Sequence, residues 1–550
     1  MRLRVAHAAV LLACAFLAAS GAVAEDSDVI DYRLDNGLTL LVSQRSGVPL
    51  ACCRLVYRAG SVFDPPGKEG LADFVRRLTF HGTGDLGSAD PQAEIHLRAE
   101  LKKTTALRDR QFELLPADMV RKLNTLPRKI EAARNLVRTR LKSLAGGNLP
   151  PMSREEMVST LDFVRDRERH IRRMMAEIKR VKKSAHYRKF QVLRVLEEKI
   201  EKNTERLLAI VTPDPIRRAY RRGGAIRFAS RTGPDATVFS AALPANRVEL
   251  FLWVESRRMT GAVFRQFEEE KNLVLRSFSD APPSFSPLLR RVTFADHPYA
   301  RPVRGTRASA ETFSPDDATS FYKAHYRPDR AALVVVGDVD PDRIYFLASR
   351  YFGPAEASEQ VLPAPAAPPP TGPLHMTRFA SPPCVELRYV LPGASDEDWP
   401  AIQCFARALP HRARFQEAVL GPGLAEHLDV SLETGALGSV MTVRAFPSPG
   451  ASLFRLAAAL KEAVRIAAIL PLGDTAFQAA RASWKAETAD RLGAPGVEAD
   501  ALALGFARGA WRMAEAGALD GLEAEDVSGT AGRTVGAVQP VELWTLERKP

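Results

Sequence analysis

The sequence predicts an α+β protein built as two similar halves, with a long helical hairpin inserted in the first. Three observations carry this expectation. LPAPAAPPPTGP, from Leu362 to Pro373, has the composition of a semi-rigid linker and divides the chain. The order of strand-like and helix-like segments before that linker recurs after it. Between Met152 and Thr212 there is neither Gly nor Pro, as a long uninterrupted helix requires.

The N-terminus stands apart from any core. Arg2 and Arg4 precede an apolar run from Ala8 to Ala19, and Ala22-Val23-Ala24 supplies small residues at a cleavage position. Residues 1–24 therefore read as a secretory signal peptide, which implies an exported, periplasmic protein. Lipid anchoring at Cys14 is the weaker alternative, because the apolar run before it is short and Leu12 is bulky. No later stretch reaches the ~20 apolar residues of a membrane span. Cys52, Cys53, Cys384 and Cys404 lack metal-ligand spacing and read as small core residues rather than disulfides.

From Asp31 to Ser43 the chain reads strand, Asp-Asn-Gly turn, strand, with Leu38, Leu40 and Val42 at period two. A further strand runs from Leu50 to Ala59. The loop DPPGKEG then delivers the chain to GLADFVRRLTFHGT, Gly70 to Thr83. Between Asp90 and Ile210 lie 29 Lys/Arg and 17 Asp/Glu, an excess of 12 that equals the formal +12 of the whole chain. Gln92 to Leu144 is helix-prone, with breaks expected at Pro116 and Pro127, and LAGGNLPP (Leu144 to Pro151) reads as the turn. In the second arm Met157, Leu161, Val164, Ile171, Met175, Ile178 and Ala185 approach a seven-residue repeat, the pattern of a coiled-coil seam. As one helix this arm would reach ~80 Å. After the Pro-rich linker, Val385, Leu387, Tyr389 and Leu391 alternate as a half-buried strand. Helices are expected near Asp396–Leu409, Ser452–Leu470 and Thr475–Glu515, with a strand near Leu437–Phe446.

The segment from Gly70 to Thr83 resembles the zinc-binding helix of the insulinase/pitrilysin/processing-peptidase family of inverted zincins, roughly G-L-A-H-x-x-E-H-M-x-F-x-G-T. Gly70, Leu71, Ala72, Phe80, Gly82 and Thr83 match its frame. Further matches are VFRQFEEEKNLVLRSF (Val263 to Phe278), HPYARPVRGT (His297 to Thr306) and FYKAHYRPDRAALVVVGDVDP (Phe321 to Pro341). The resemblance implies two related insulinase-like domains, each an antiparallel sheet packed with helices. Their bounds would be 25–354, with 85–212 as the basic insertion, and 374–550, joined by a linker at 355–373.

The resemblance also implies where chemistry would sit, and there the chain departs from the pattern. The two His ligands and the catalytic Glu correspond to Asp73, Arg77 and Arg76. The third ligand corresponds to Ser277, while Glu270 keeps the position of a Glu behind the metal. In the second half, the Arg and Tyr that hold the substrate carbonyl correspond to Val419 and Glu426. Arg cannot be deprotonated in practice and would repel a zinc ion, so no bound zinc and no catalytic residue is expected. For Arg76 and Arg77 the plain reading is a solvated helix face. The sharper one is an ion pair with Asp73 or Glu270 filling the metal cavity, since Asp73 lies one helical turn from both. His81 reads as packed or solvent-facing, and His297 as structural.

By the resemblance, two such units enclose a chamber, and one unit can lack zinc. The implied role is a non-catalytic partner of a zinc-competent subunit, or self-association. Two alternatives stand beside it. One is an active zinc endopeptidase with atypical ligands. The other is an envelope scaffold whose basic hairpin meets an anionic envelope component. Such charge is also what nucleic acid attracts, but an exported protein meets little of it.

Overall fold

A computed structural model describes residues 29–47, 49–145, 153–184, 186–280, 285–357, 375–514 and 517–547. The expected signal peptide with Cys14, most of the hairpin turn, Ala185 and the Pro-rich linker lie outside them. The chain divides into two compact units, one formed by residues up to Leu86 and from Asp214 onward, the other by Gly87–Pro213.

The first unit contains both halves. Strands β1 (Ile30–Arg33), β2 (Thr39–Gln44) and β3 (Leu50–Tyr57) lead to helix α1 (Leu71–Leu78). The second unit holds helices α2 (Pro91–Glu113), α3 (Ala117–Ala145), α4 (Arg154–Lys182) and α5 (Tyr187–Ile210). The first half resumes with β4 (Arg227–Thr232), β5 (Thr237–Pro244), α6 (Val248–Gly261), α7 (Phe267–Asp280) and β6 (Ala331–Gly337). The second half contains β7 (His375–Phe379), β8 (Cys384–Leu391), α8 (Trp399–Ala408), β9 (Ala425–Glu433) and β10 (Ser439–Pro447). It continues with α9 (Asp474–Leu492), α10 (Pro495–Arg508) and β11 (Val541–Leu546). The fold is α+β, with strand orders β1-β2-β6-β3-β5-β4 and β7-β11-β8-β10-β9. Each sheet is antiparallel but for one pair, β2 with β6 and β7 with β11.

β3 and β6 are buried along almost their whole length, as strands covered on both faces must be. On one face α1 and α6 contribute Phe74, Val75, Phe251 and Leu252 to a core with Leu55, Phe239 and Leu333. The other face is covered by α10, from the second half. Ala499, Leu502, Ala503 and Phe506 pack on Leu41, Val56, Val334 and Val336. Polar clasps border this contact: Arg54 bonds Asp500 at 2.9 Å and the Gly496 carbonyl at 2.8 Å, and Arg45 pairs with Glu498 at 2.9 Å. The long helix expected from Thr475 is cut at Gly493-Ala494-Pro495, and Pro495 opens α10. This cut lets one piece serve the second half and the other the first.

The strand expected to be half-buried, β8, is buried at every position except Val390. Its polar residues are accommodated by charge. Buried Glu386 meets Arg378 at 3.1 Å and Arg444 at 3.4 Å. All four described cysteines are buried and free.

In the second unit α2 pairs with α5 and α3 with α4. A bridge between Ser88 and Val211 closes its two ends. Its second arm is not one helix: α4 stops at Lys182 and α5 starts at Tyr187, giving rods of roughly 44 and 36 Å. The first arm breaks at Pro116 but not at Pro127, which sits inside α3. The breaks face each other, because Leu115 and Met119 pack with Val181, Tyr187 and Phe190. The seam also shifts. Thr160, Val164, Ile171 and Met174 are buried, whereas Met157, Leu161 and Met175 are exposed. Met174 therefore takes the place expected of Met175, in contact with Leu126, Ile130 and Ala133 of α3.

Because α10 completes the first sheet, Leu502→Ala should destabilise the first half by about 2–4 kcal/mol. Differential scanning calorimetry should show both halves unfolding together at a lowered Tm. A shift confined to a separate second-half transition would contradict this packing.

Candidate functional site

Helix α1 is positioned from its N-terminus. Gly70 has a left-handed φ of 92°, and a Cβ there would collide with the Arg304 carbonyl oxygen. Gly305, φ 70°, meets the Glu69 carbonyl in the same way, so the two motif loops interlock only because both residues are glycine. Buried Asp64 accepts the amide hydrogens of Gly70 at 2.7 Å and Ala72 at 2.8 Å. These are donors that a helix start leaves unpaired. Burial pushes the Asp64 carboxyl up to about 7, against the pull of those two bonds.

Leu71, Ala72, Phe74, Val75 and Leu78 anchor α1 in the core. On its remaining face Asp73 accepts Arg76 Nη2 at 2.8 Å through Oδ1 and Arg77 Nε at 2.9 Å through Oδ2. Arg76 Nη1 also donates to Ser230 Oγ of β4 at 2.6 Å. Arg77 Nη1 reaches Glu270 Oε1 of α7 at 3.4 Å, and His81 Nε2 stands 3.6 Å from the other Glu270 oxygen. Both arginines thus pair with Asp73, and Arg77 joins it to Glu270. Two carboxylates and two guanidiniums form a cluster with no net charge.

The electrostatics follow from this closure. Burial alone would raise Asp73, but Arg76 and Arg77 reverse it and hold the carboxyl below its ordinary range. Glu270 is held down by His81 foremost and by Arg77, against burial. Arg77 is raised: burial opposes its charge, and Asp73 and Glu270 outweigh it.

The other sequence-derived positions do not join the cluster. Ser277 Oγ donates to the Val274 carbonyl at 2.7 Å. Val419 is fully buried in the core of the second half, and Glu426 is exposed at the start of β9. His297 accepts the Tyr299 amide at 3.0 Å through Nδ1. The Tyr299 hydroxyl donates to Asp235 and accepts the Leu437 amide at 3.0 Å. With Val62, Phe294 and Val440 these residues join the two halves. Asp235 and Ser230 carried no sequence signal; the HPY match located Tyr299 without showing what it bonds.

Zinc, the metal that the family resemblance implies, does not fit the side chains present. Both Asp73 oxygens are occupied by guanidinium N–H groups, the neighbouring positions are fixed cations, and Ser277 is bonded to its own helix. Among the described residues no three His, Cys, Asp or Glu side chains form a metal-binding group. No described helix is long and apolar enough to cross a membrane.

Residues 312–483 match the family description "Peptidase M16 inactive domain". An uncharacterized zinc protease of Mycobacterium leprae is 31% identical over 90 residues, 16% of this chain and 20% of that protein. The chain thus spans a fifth of that relative's length. A protease from Helicobacter pylori has a similar structure, with a TM-score of 0.60 at 14% identity, covering 95% of this chain and all of the other. The periplasmic protease PqqL from Escherichia coli gives a TM-score of 0.59 at 12% identity, over 94% of this chain and 48% of PqqL. At these identities the structural likeness is one of fold.

Replacing Asp73 by Ala leaves two guanidiniums, each less than a third exposed, without their main acceptor. A loss of roughly 2–4 kcal/mol is expected, at or below the range for breaking a buried pair because the site is partly solvated. A carboxyl held below its unfolded value stabilises above that value, and the gain is lost as pH falls through its folded value. The wild type should therefore lose stability below about pH 4 more steeply than Asp73→Ala, as read by urea melts across pH.

Proposed function

We propose that this chain, a member of the insulinase-like peptidase family, is a catalytically degenerate homologue that serves as a non-catalytic partner or chamber-forming subunit of a zinc peptidase. The observation that carries the reading is the saturation of Asp73 by Arg76 and Arg77 on the helix where the family resemblance puts metal ligands and base. A metal-activated water needs an open coordination position and a base, and guanidiniums offer neither. The partner role rests on the family resemblance, in which two such units enclose a chamber and one of them can lack zinc. Export to the periplasm is part of the proposal, on the strength of Arg2, Arg4 and the apolar run that follows.

Inductively coupled plasma mass spectrometry of the purified mature protein should find no stoichiometric zinc, and the protein alone should cleave no peptide. The quadruple change Asp73→His, Arg76→Glu, Arg77→His and Ser277→Glu should restore zinc binding before it restores activity, because Val419 and Glu426 still stand where carbonyl-holding groups are needed. One tightly bound zinc per wild-type chain with chelator-sensitive peptidase activity would sink the reading in favour of an active enzyme with atypical ligands.

A second reading, envelope binding through the helical unit, has its own support. The unit carries the chain's whole charge excess, and Leu136, Leu141, Met157, Val158 and Leu161 are exposed on α3 and α4. Apolar side chains among arginines suit an anionic surface, with affinity that falls as salt rises. Replacing residues 90–210 by a Gly-Ser linker should leave the first unit folded and abolish salt-sensitive envelope association. Unchanged association that is indifferent to salt would remove this reading.

A further inference from the structure

A cavity of about 450 Å³ lies in the second half, bounded by α8, α9, α10 and β9. This volume suits a small-molecule site. Its walls mix apolar side chains, among them Val430, Leu504 and Met513, with Trp484 and three arginines, Arg407, Arg491 and Arg508. The guanidinium carbons of Arg407 and Arg491 lie 4.7 and 5.1 Å from the centre of the Trp484 ring system. Two like charges are thus gathered on one indole.

The acidic side of the cavity does not balance them. Glu487 is the carboxylate in its wall, and it is engaged by Arg407 Nη2 at 2.8 Å. Arg508 has Asp235 at 3.9 Å. Arg491 donates to Thr488 Oγ1 at 2.6 Å, and among the described residues no carboxylate lies within ion-pair distance of it. Burial pushes Arg491 down and Arg407 adds to that, with Glu487 pulling the other way. Trp484 Nε1, Arg407 Nε and Arg491 Nε are buried without an acceptor among the described residues. Trp484 itself is 2% exposed. Unpaired buried donors beside an unbalanced guanidinium are costly, and an arriving anion would remove that cost. A guanidinium fork matches a carboxylate with two parallel bonds.

We propose that this cavity is a binding site for a small organic carboxylate, its anionic end on Arg491 beside Arg407 and its apolar body against Trp484 and Leu504. The site belongs to the second half and does not depend on whether the Asp73 cluster is degenerate.

N-acetyl-leucine, N-acetyl-leucinamide and inorganic phosphate serve as probes, titrated by calorimetry into the full chain. N-acetyl-leucine should bind. The amide, equal in shape but uncharged, should bind at least roughly tenfold more weakly, as loss of a charged hydrogen-bond partner implies. Arg491→Gln should weaken N-acetyl-leucine by a similar factor, and Arg491→Lys by less, since it keeps the charge without the fork. Asp73→Ala should leave the affinity unchanged, which separates this site from the cluster on α1. Because Arg491→Gln could lower stability, the Arg491→Lys titration and the acid–amide comparison on the unaltered chain carry the test independently. Equal affinity for acid and amide, no binding of either, or indifference to both Arg491 variants would overturn the proposal. Phosphate binding as tight as N-acetyl-leucine would overturn the organic part and leave a bare oxyanion site.

Discussion

One carboxylate holds the candidate site in its present form. Asp73 accepts a guanidinium on each oxygen, and both donors come from the next turn of the same helix, where i,i+3 and i,i+4 side chains meet. The arrangement needs nothing from outside α1 except Glu270 and Ser230 to receive the outer ends of the two arginines. A charged cavity in a protein must be neutralised by something. Here it is neutralised by side chains of the chain itself, on a helix whose frame resembles a metal-binding one.

The frame itself is held by contacts remote from that face. Asp64 satisfies the first amides of α1, Gly70 and Gly305 let two loops interlock, and Tyr299 bonds both Asp235 and the second half. None of these groups depends on a metal. Selection on packing alone is enough to keep them, and this accounts for motif loops that are well matched beside a site that is not.

The parts legible in the sequence were those with local signals. The Asp-Asn-Gly turn, the apolar frame of α1, the helical character of the insertion and the spacing of Asp73 from the two arginines all act within a few residues. What sequence reasoning missed was decided at a distance. β8 looked half-buried because Glu386 and Arg388 alternate with apolar residues, but Glu386 is met by Arg378 and Arg444 from other segments, and Arg388 by Glu386 and Glu433. The segment beyond Leu492 looked like more of one helix, and only the first sheet's uncovered face explains its turning away at Pro495. In the helical unit, periodicity proposed Met175 where Met174 is buried, since a one-residue choice depends on where α3 lies. β9 and β11 were also missed, although Leu428, Val430 and Leu432 alternate with Asp429, Ser431 and Glu433 in β9.

The position of α10 has a consequence for how the protein comes into being. The first sheet uses strands from the first 337 residues, yet its second face stays bare until residues 495–508 have been made. The second sheet is likewise unfinished until Val541–Leu546 slides between β7 and β8. Neither half can close early during synthesis, so apolar strand surface stays uncovered until residues 495–508 and 541–546 have been made. Uncovered apolar strand surface of this kind is what makes a partly folded chain prone to aggregate.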